Sequence, residues 1–248
     1  MAVVTALAGD IGPRAAGTPG DEAARRYVVA ALRTAGWSVR EEVVPLPQGG
    51  TTANVVARLP GASLGRPHVV VGAHLDTVAG TPGANDNATG VGVLVALAEE
   101  LADEQPVLRH PVVLVAFGAE EYQPSEPRRH HLGSQAYADL RADVVVEMLG
   151  VDMVGNGPTT CLCWLRGTDD ELARRLAEVA DAEGLSVRAE ARGDISDHGP
   201  FAHAGVPAAF LWTFDDGVLH TPADTSDRIR AEDLDRAGRL VLAWLRSR

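Results

Sequence analysis

Apolar positions along this chain follow two rhythms, and the predicted elements begin and end where one rhythm gives way to the other. From Asp21 to Ala35 they recur at helical spacing (Tyr27, Val28, Ala31, Leu32) and stop at Gly36, which predicts an amphipathic helix with a glycine terminator. Trp37 to Val44 alternates polar and apolar residues, and Ala53 to Leu59 forms a second short strand after Gly49-Gly50. Together they predict a hairpin. His68 to Ala73 and Pro111 to Gly118 are unbroken, β-branched-rich runs of the kind found in strands covered on both faces. Between them, Gly90 to Leu101 carries an almost wholly apolar interior (Val91, Leu94, Val95, Leu97, Ala98) and is expected to lie sandwiched in the core.

The second half continues the alternation. Strands are predicted at Val144 to Met153, Thr160 to Leu165, Ser186 to Glu190 and Pro207 to Phe214. Helices are predicted at Asp170 to Glu183, in a short stretch opening at Ser196, and at Ala231 to Arg248, where Leu234, Leu240, Val241, Trp244 and Leu245 form the apolar face. Strands alternating with helices define an α/β protein. With no repeat, low-complexity tract or linker, residues 1–248 read as one domain without a separate lid. Tyr122 to Gly133 is rich in Pro and Arg, has no period, and is expected to loop over a site at the sheet edge.

Composition narrows the chemistry. An apolar fraction of 46% with 4% aromatic residues fits a globular protein with a Val, Leu and Ala core. A net charge of −12 argues against nucleic-acid and anionic membrane partners, which require clustered cations. Every basic residue is arginine, so lysine-dependent chemistry is excluded. Cys161 and Cys163 lie one residue apart on a predicted strand; they are expected to face opposite ways, to remain unbridged and to act as small hydrophobes. The N-terminus lacks a basic region and a long apolar run, and no stretch is long enough to span a membrane, so a cytoplasmic location is expected.

The ends of the apolar runs carry the reactive side chains. Val69 to Asp76 delivers His74 and Asp76, the next helix starts just after Asp86-Asn87, the run to Gly118 leads into Glu120 and Glu121, Val144 to Met153 contains Asp152, and His220 follows the last predicted strand. Ligands of open α/β sheets gather at such carboxyl ends. Amide hydrolysis needs a strong nucleophile and a stabilised oxyanion, and two metal ions supply both. If Asp86 bridges, one ion takes His74, Asp86 and Asp152 and the other Asp86, Glu121 and His220, a sulfur-free set suited to zinc, with Mn2+ or Co2+ possible. Glu120, beside a ligand but not one itself, is placed as general base for the water shared by the ions, and Asp76 as the acid that orients the ring of His74.

Gly72-Ala-His-Leu-Asp76, Gly83-Ala-Asn-Asp86-Asn87-Ala-Thr-Gly-Val-Gly92, Phe117-Gly-Ala-Glu-Glu121, Val151-Asp152-Met153, Ser196-Asp-His198 and His220-Thr-Pro-Ala-Asp-Thr225 resemble the co-catalytic di-zinc aminopeptidase family. That family includes the aminopeptidase Y and bacterial leucyl aminopeptidase types and is related to glutamate carboxypeptidase and glutaminyl cyclase. Gly12-Pro-Arg14 and Gly17-Thr-Pro-Gly20 extend the resemblance to nearly the whole chain. It implies a mixed, mostly parallel, eight-stranded sheet between helices, two zinc ions at its C-terminal edge, and a peptide substrate with a free N-terminus. His74, Asp86, Glu121, Asp152 and His220 match the family's ligands, Glu120 its base and Asp76 its histidine-orienting acid. Glutaminyl cyclisation, another amide hydrolysis on this scaffold and a zinc-binding homologue without catalysis are the alternatives; the oligomeric state is left open.

Two positions depart from the family. Leu219 stands where many members have a tyrosine that holds the oxyanion, and Ile195 where several have an arginine. Of the other candidates, His198 is expected either to be satisfied by backbone or to touch substrate, and His68, His110, His130, His131 and His203 to be surface or structural. Arg128 and Arg129 are read as a solvated loop and Trp212 and Phe214 as core, with roles at the rim and in a side-chain pocket as their respective alternatives.

Overall fold

The computed structural model of the protein describes residues 1–104, 108–122, 130–157, 159–213 and 217–248, with the side chains of 103 and 104 excepted. Arg128, Arg129 and Phe214 therefore lie outside the described residues, as does most of the predicted loop between Tyr122 and Gly133. In chain order the elements are a short helix α1 (Ala2–Val4) running into a π-helical turn (Thr5–Ile11), α2 (Pro19–Thr34), β1 (Ser38–Pro45), β2 (Thr51–Arg58), β3 (His68–His74), α3 (Thr89–Glu104), β4 (Val112–Phe117) and α4 (Leu132–Arg141). They continue with β5 (Val145–Val151), β6 (Thr160–Leu165), α5 (Glu171–Ala182), β7 (Val187–Arg192), α6 (His198–His203), β8 (Ala208–Trp212) and α7 (Ala231–Arg246). The opening helix is an addition to the sequence reading. It buries Val4, Leu7 and Ala8 against the core that α3 shares, but it is too short to show a period.

All eight strands join one sheet in the order β1-β2-β4-β3-β5-β8-β6-β7. The hairpin β1–β2 is antiparallel, as predicted, and β2 meets β4 antiparallel. The centre, β4-β3-β5-β8, is parallel, then β6 reverses against β8 and β7 lies parallel to β6. The central strands are buried along nearly their full length, which is why they read as unbroken apolar runs.

This strand order positions the site. The chain leaves β3 through α3 to β4 on one side, then returns through α4 to β5 on the other side of β3. The α3 side chains pack with α2, α5 and α7 on one sheet face, whereas α4 and α6 cover the opposite face. The two crossovers diverge at β3 and leave a crevice at the carboxyl ends of β4, β3 and β5.

The cysteines require a correction. Residues i and i+2 of a strand share a face, and Cys161 and Cys163 pack together with Phe210 on one side of β6. Both remain free thiols, as expected.

Candidate metal centre

Three adjacent parallel strands end in the predicted residues, and the chain after β8 brings in the last one. His74 closes β3; Glu120 and Glu121 follow β4 and Asp152 follows β5. The two oxygens of Asp86 face different imidazoles: Oδ1 stands 3.1 Å from His74 Nε2 and Oδ2 3.2 Å from His220 Nε2. His74 Nε2 is also 3.5 Å from Asp152 Oδ1, and His220 Nε2 is 2.9 Å from Glu121 Oε1.

Paired aspartates hold the segments that carry these groups. Asp76 accepts the main-chain N–H of Glu120 at 2.9 Å and of Glu121 at 3.0 Å. Asp224 does the same for Asn85 and Asp86, at 2.8 and 3.0 Å. The role expected of Asp76 changes accordingly. Its carboxylate stays 3.9 Å from His74 Nδ1, which instead lies 3.2 Å from the Asp76 main-chain carbonyl. Asp76 thus orients the ring through its backbone, while its side chain aligns β4's end with β3's.

Asn85 and Asn87 stitch the Asp86 segment to the end of β5. Asn85 Oδ1 accepts from Gly155 N–H, and Asn87 accepts from Gly90 and Met153 while donating to Val151. Gly90 permits this contact, since a Cβ there would stand 2.2 Å from the Val151 carbonyl oxygen. Beneath the segment, the fully buried Arg14 donates to the carbonyls of Leu75, Pro82 and Gly83.

Backbone strain collects at the same place. Among the described residues, the non-glycine positions with positive φ are Ala119, His131, Met153 and His220. Each is a site residue or adjoins one. Such conformations cost on the order of 1–3 kcal/mol each and persist where their surroundings over-determine them.

The charges are strongly coupled. Burial would push His74 down, but Glu120, Asp152 and Asp86 outweigh it and hold its pKa well above the usual range. Burial would push Asp86 up, yet hydrogen bonds from His220 and His74 hold it far below the usual carboxylate range. Burial raises Glu121 and Glu120, and hydrogen bonds to Asp86 and Glu121 raise His220. The metal-free site therefore retains protons that its ligand chemistry would have to shed.

His131, expected to be surface or structural, is almost fully buried, with Nε2 2.8 Å from Glu120 Oε1. Gly133 explains the proximity: a Cβ there would lie 2.3 Å from both Asn54 Oδ1 and the Gly118 carbonyl oxygen, so the start of α4 presses onto the end of β4. The available signal is a pair of histidines, His130 and His131, separated from Gly133-Ser134 by Leu132 alone. His130 is half-buried beside His131, His68 is bonded to Tyr137 and Arg66, His110 is half-buried, and the exposed His203 meets Asp194.

A cavity of about 390 Å³ opens over the centre. Glu120, His131 and Asp194 are among its polar lining residues, and Met153, Ile195, Phe210, Trp212 and Leu219 are its apolar ones. Trp212 is thus placed at the pocket. Neither Leu219 nor Ile195 offers a side-chain donor there.

His198 is buried, stacks on Phe210 with ring centroids 4.4 Å apart and lies against the Ser196 backbone, with neither ring nitrogen in a well-aligned hydrogen bond among the described residues. Burial pushes its pKa down from 6.5 to about 4. The unfolded chain therefore takes up this proton first on acidification. The contribution of His198 to stability is fully present above about pH 6.5 and is lost as pH drops towards 4, by about 3 kcal/mol at about 1.36 kcal/mol per unit. Urea unfolding of chelator-treated wild type and His198→Leu across that window should show it as a difference in slope, the wild type losing stability relative to the variant as pH falls.

The donors fit divalent ions. His74 with Asp86 and Asp152, and Asp86 with Glu121 and His220, each bring one ligand atom per residue within 4.8 Å of the others. Ligands at about 2.0–2.2 Å around a tetrahedral zinc stand roughly 3.3–3.6 Å apart, close to the spacings seen. Asp152 Oδ1 is buried without a hydrogen-bond partner of good geometry among the described residues, as an atom reserved for a cation would be.

Imidazoles and carboxylates gathered around one shared aspartate at the carboxyl edge of a mixed, mostly parallel α/β sheet are the arrangement expected of a metal-dependent hydrolase. The model of peptidase family M28 matches residues 54–245, and the chain belongs to that family. It is 31% identical over 215 residues to aminopeptidase YwaD of Bacillus subtilis, covering 78% of this chain but 44% of that relative, less than half its length. Among solved structures, the zinc aminopeptidase BSAP of Bacillus subtilis superposes with a TM-score of 0.85 at 18% identity, covering 99% of this chain and 93% of the other. Glutaminyl cyclase of Porphyromonas gingivalis gives 0.85 at 25% identity, with 99% and 96% covered. These likenesses agree with the mixed, mostly parallel sheet implied by the sequence. No helix among the described residues is long and apolar enough to cross a membrane.

Proposed function

We propose that the protein is a metal-dependent aminopeptidase holding two divalent cations, zinc by choice, in the domain formed by residues 1–248. The observation that carries this reading is Asp86, which is shared by two of the four candidate ligand groups among the described residues and turns one oxygen to each imidazole. His74, Asp86 and Asp152 would hold one ion and Asp86, Glu121 and His220 the other. When bound, the pair supplies Lewis acidity and lowers the pKa of water to near neutral.

The remaining chemistry falls to the chain. Glu120 sits beside the ligands without belonging to either Asp86-centred group. Its carboxylate takes the proton of the attacking water and returns it to the leaving amine. Asp76 fixes the Glu120 and Glu121 backbone as a unit, so base and ligand keep one spacing. A free α-ammonium group is received at the acidic side, where Asp152 and Glu120 lie nearest, and the substrate's first side chain meets the apolar wall. The missing donors at Leu219 and Ile195 leave oxyanion stabilisation mainly to the cations, which bears on rate and substrate preference more than on reaction class.

Metal uptake should release roughly two to three protons per chain at pH 7, because His74 and the Glu121–His220 pair are held protonated in the metal-free site. Protons compete with metal, so affinity should fall as pH is lowered. Calorimetric titration with zinc in buffers of different ionisation enthalpy measures the release directly.

The activity is tested with Leu-p-nitroanilide and a peptide in free and N-acetylated forms, before and after chelation and metal restoration. Cleavage confined to free N-termini and dependent on metal supports the proposal. Cleavage of the blocked peptide, or activity indifferent to chelation, contradicts it. Ring closure of N-terminal Gln without peptide cleavage would assign glutaminyl cyclisation instead.

A further inference from the structure

His131 belongs to neither Asp86-centred ligand group, yet it grips Glu120 twice. Its main-chain N–H donates to the Glu120 carbonyl at 3.0 Å, and its ring Nε2 lies 2.8 Å from Glu120 Oε1. The next residue repeats the pairing one step back, with Leu132 N–H donating to the Ala119 carbonyl at 3.0 Å. His131 itself adopts φ 60° and ψ 29°. That left-handed conformation is uncommon for a residue with a side chain and costs on the order of 1–3 kcal/mol.

The outer side of the ring is also occupied. His131 Nδ1 lies 2.9 Å from His130 Nδ1 and 3.5 Å from Asp194 Oδ1. One hydrogen-bond assignment satisfies both ring nitrogens: His130 Nδ1–H donates to His131 Nδ1, and His131 Nε2–H donates to Glu120. Burial, which pushes His131 below its usual pKa, favours this neutral form.

We propose that His131 is the positioning residue of Glu120, its Nε2–H fixing the rotation of the carboxylate by holding Oε1 and leaving the second oxygen for the proton in transit. A general base must come within about 2.6–3.2 Å of the proton donor. A misplacement of about 1 Å can cost on the order of 10²-fold in rate. An untethered carboxylate can rotate out of that window. The proposal rests on the reading of Glu120 as base.

Two isosteric amides separate positioning from structural support. His131→Gln carries an amide nitrogen out to the reach of Nε2. His131→Asn carries one only as far as Nδ1, but tolerates the left-handed backbone better. If His131 merely supports the fold, Asn should perform at least as well as Gln. If it positions Glu120, activity and stability should rank in opposite orders.

The metal-restored proteins are assayed on Leu-p-nitroanilide for kcat, KM and metal content, together with unfolding midpoints. The expected result is a kcat lowered about 10- to 100-fold in His131→Asn and within a few-fold of wild type in His131→Gln, with KM and metal content unchanged in both. In a Glu120→Gln background, His131→Asn should add little, because the group it positions is gone. Equal losses in the two amides, a further full loss in the Glu120→Gln background, or a lost metal in place of a lowered kcat would overturn the proposal. Glu120→Gln at the wild-type rate would overturn the assignment of the base and this inference with it. An impaired Glu120→Gln beside a fully active His131→Asn would overturn this inference alone.

Discussion

Glu120→Gln should lower kcat by about 10²- to 10⁴-fold while leaving metal content and KM near wild type. The substitution keeps the volume and the hydrogen-bonding reach of the side chain but removes its ability to take a proton. The backbone would be undisturbed, because Asp76 and His131 bond to the main chain of residue 120 as well. Steady-state kinetics on Leu-p-nitroanilide with parallel elemental analysis measures both quantities. A full rate would mean that the proton moves through another group. A lost metal would mean that Glu120 is a ligand and the two adjacent glutamates have been assigned in the wrong order.

Asp86→Ala should have the largest effect on the centre itself. It removes the only residue common to the two ligand groups that hold His74 with Asp152 and Glu121 with His220. Each group then retains two protein ligands, which cannot support a tightly held ion. Bound metal should fall from two ions to one or none, and activity should fall by on the order of 10³-fold or more, equivalent to the several kcal/mol that metal catalysis provides. Asp76→Ala is the control: its carboxylate holds the backbone N–H groups of Glu120 and Glu121 and stays 3.9 Å from the far nitrogen of His74, so it should slow turnover while much of the metal stays. Equal metal loss in both variants would place Asp76 among the ligands.

Much of this was legible in the chain because the fold writes itself into it. Strands buried on both faces leave unbroken apolar runs, and the residues that end those runs stand at the sheet edge where α/β ligands bind. His74, Glu120, Glu121 and Asp152 follow from that rule, and Asp86 from its place before α3. The groups that were not legible act through contacts with no sequence period. Asp224 reaches Asn85 and Asp86 from a loop far along the chain, and His131 reaches Glu120 because two glycine-lined surfaces, at Gly118 and Gly133, touch. The carboxylate of Asp76 lies within two residues of His74 yet bonds to β4's end, a choice made by the neighbouring strand. The cysteine pair was a different kind of miss: the twofold strand period places Cys161 and Cys163 on one face, and Phe210 packs against both.

The central claim is a pair of ions built around Asp86, and stoichiometric titration tests it most directly. Metal-free protein is titrated with zinc while bound metal and hydrolysis of Leu-p-nitroanilide are followed together. The account predicts that activity rises to its plateau only as two equivalents bind per chain, and that Asp86→Ala never reaches it. Full activity at one equivalent, or activity unrelated to bound zinc, would contradict it.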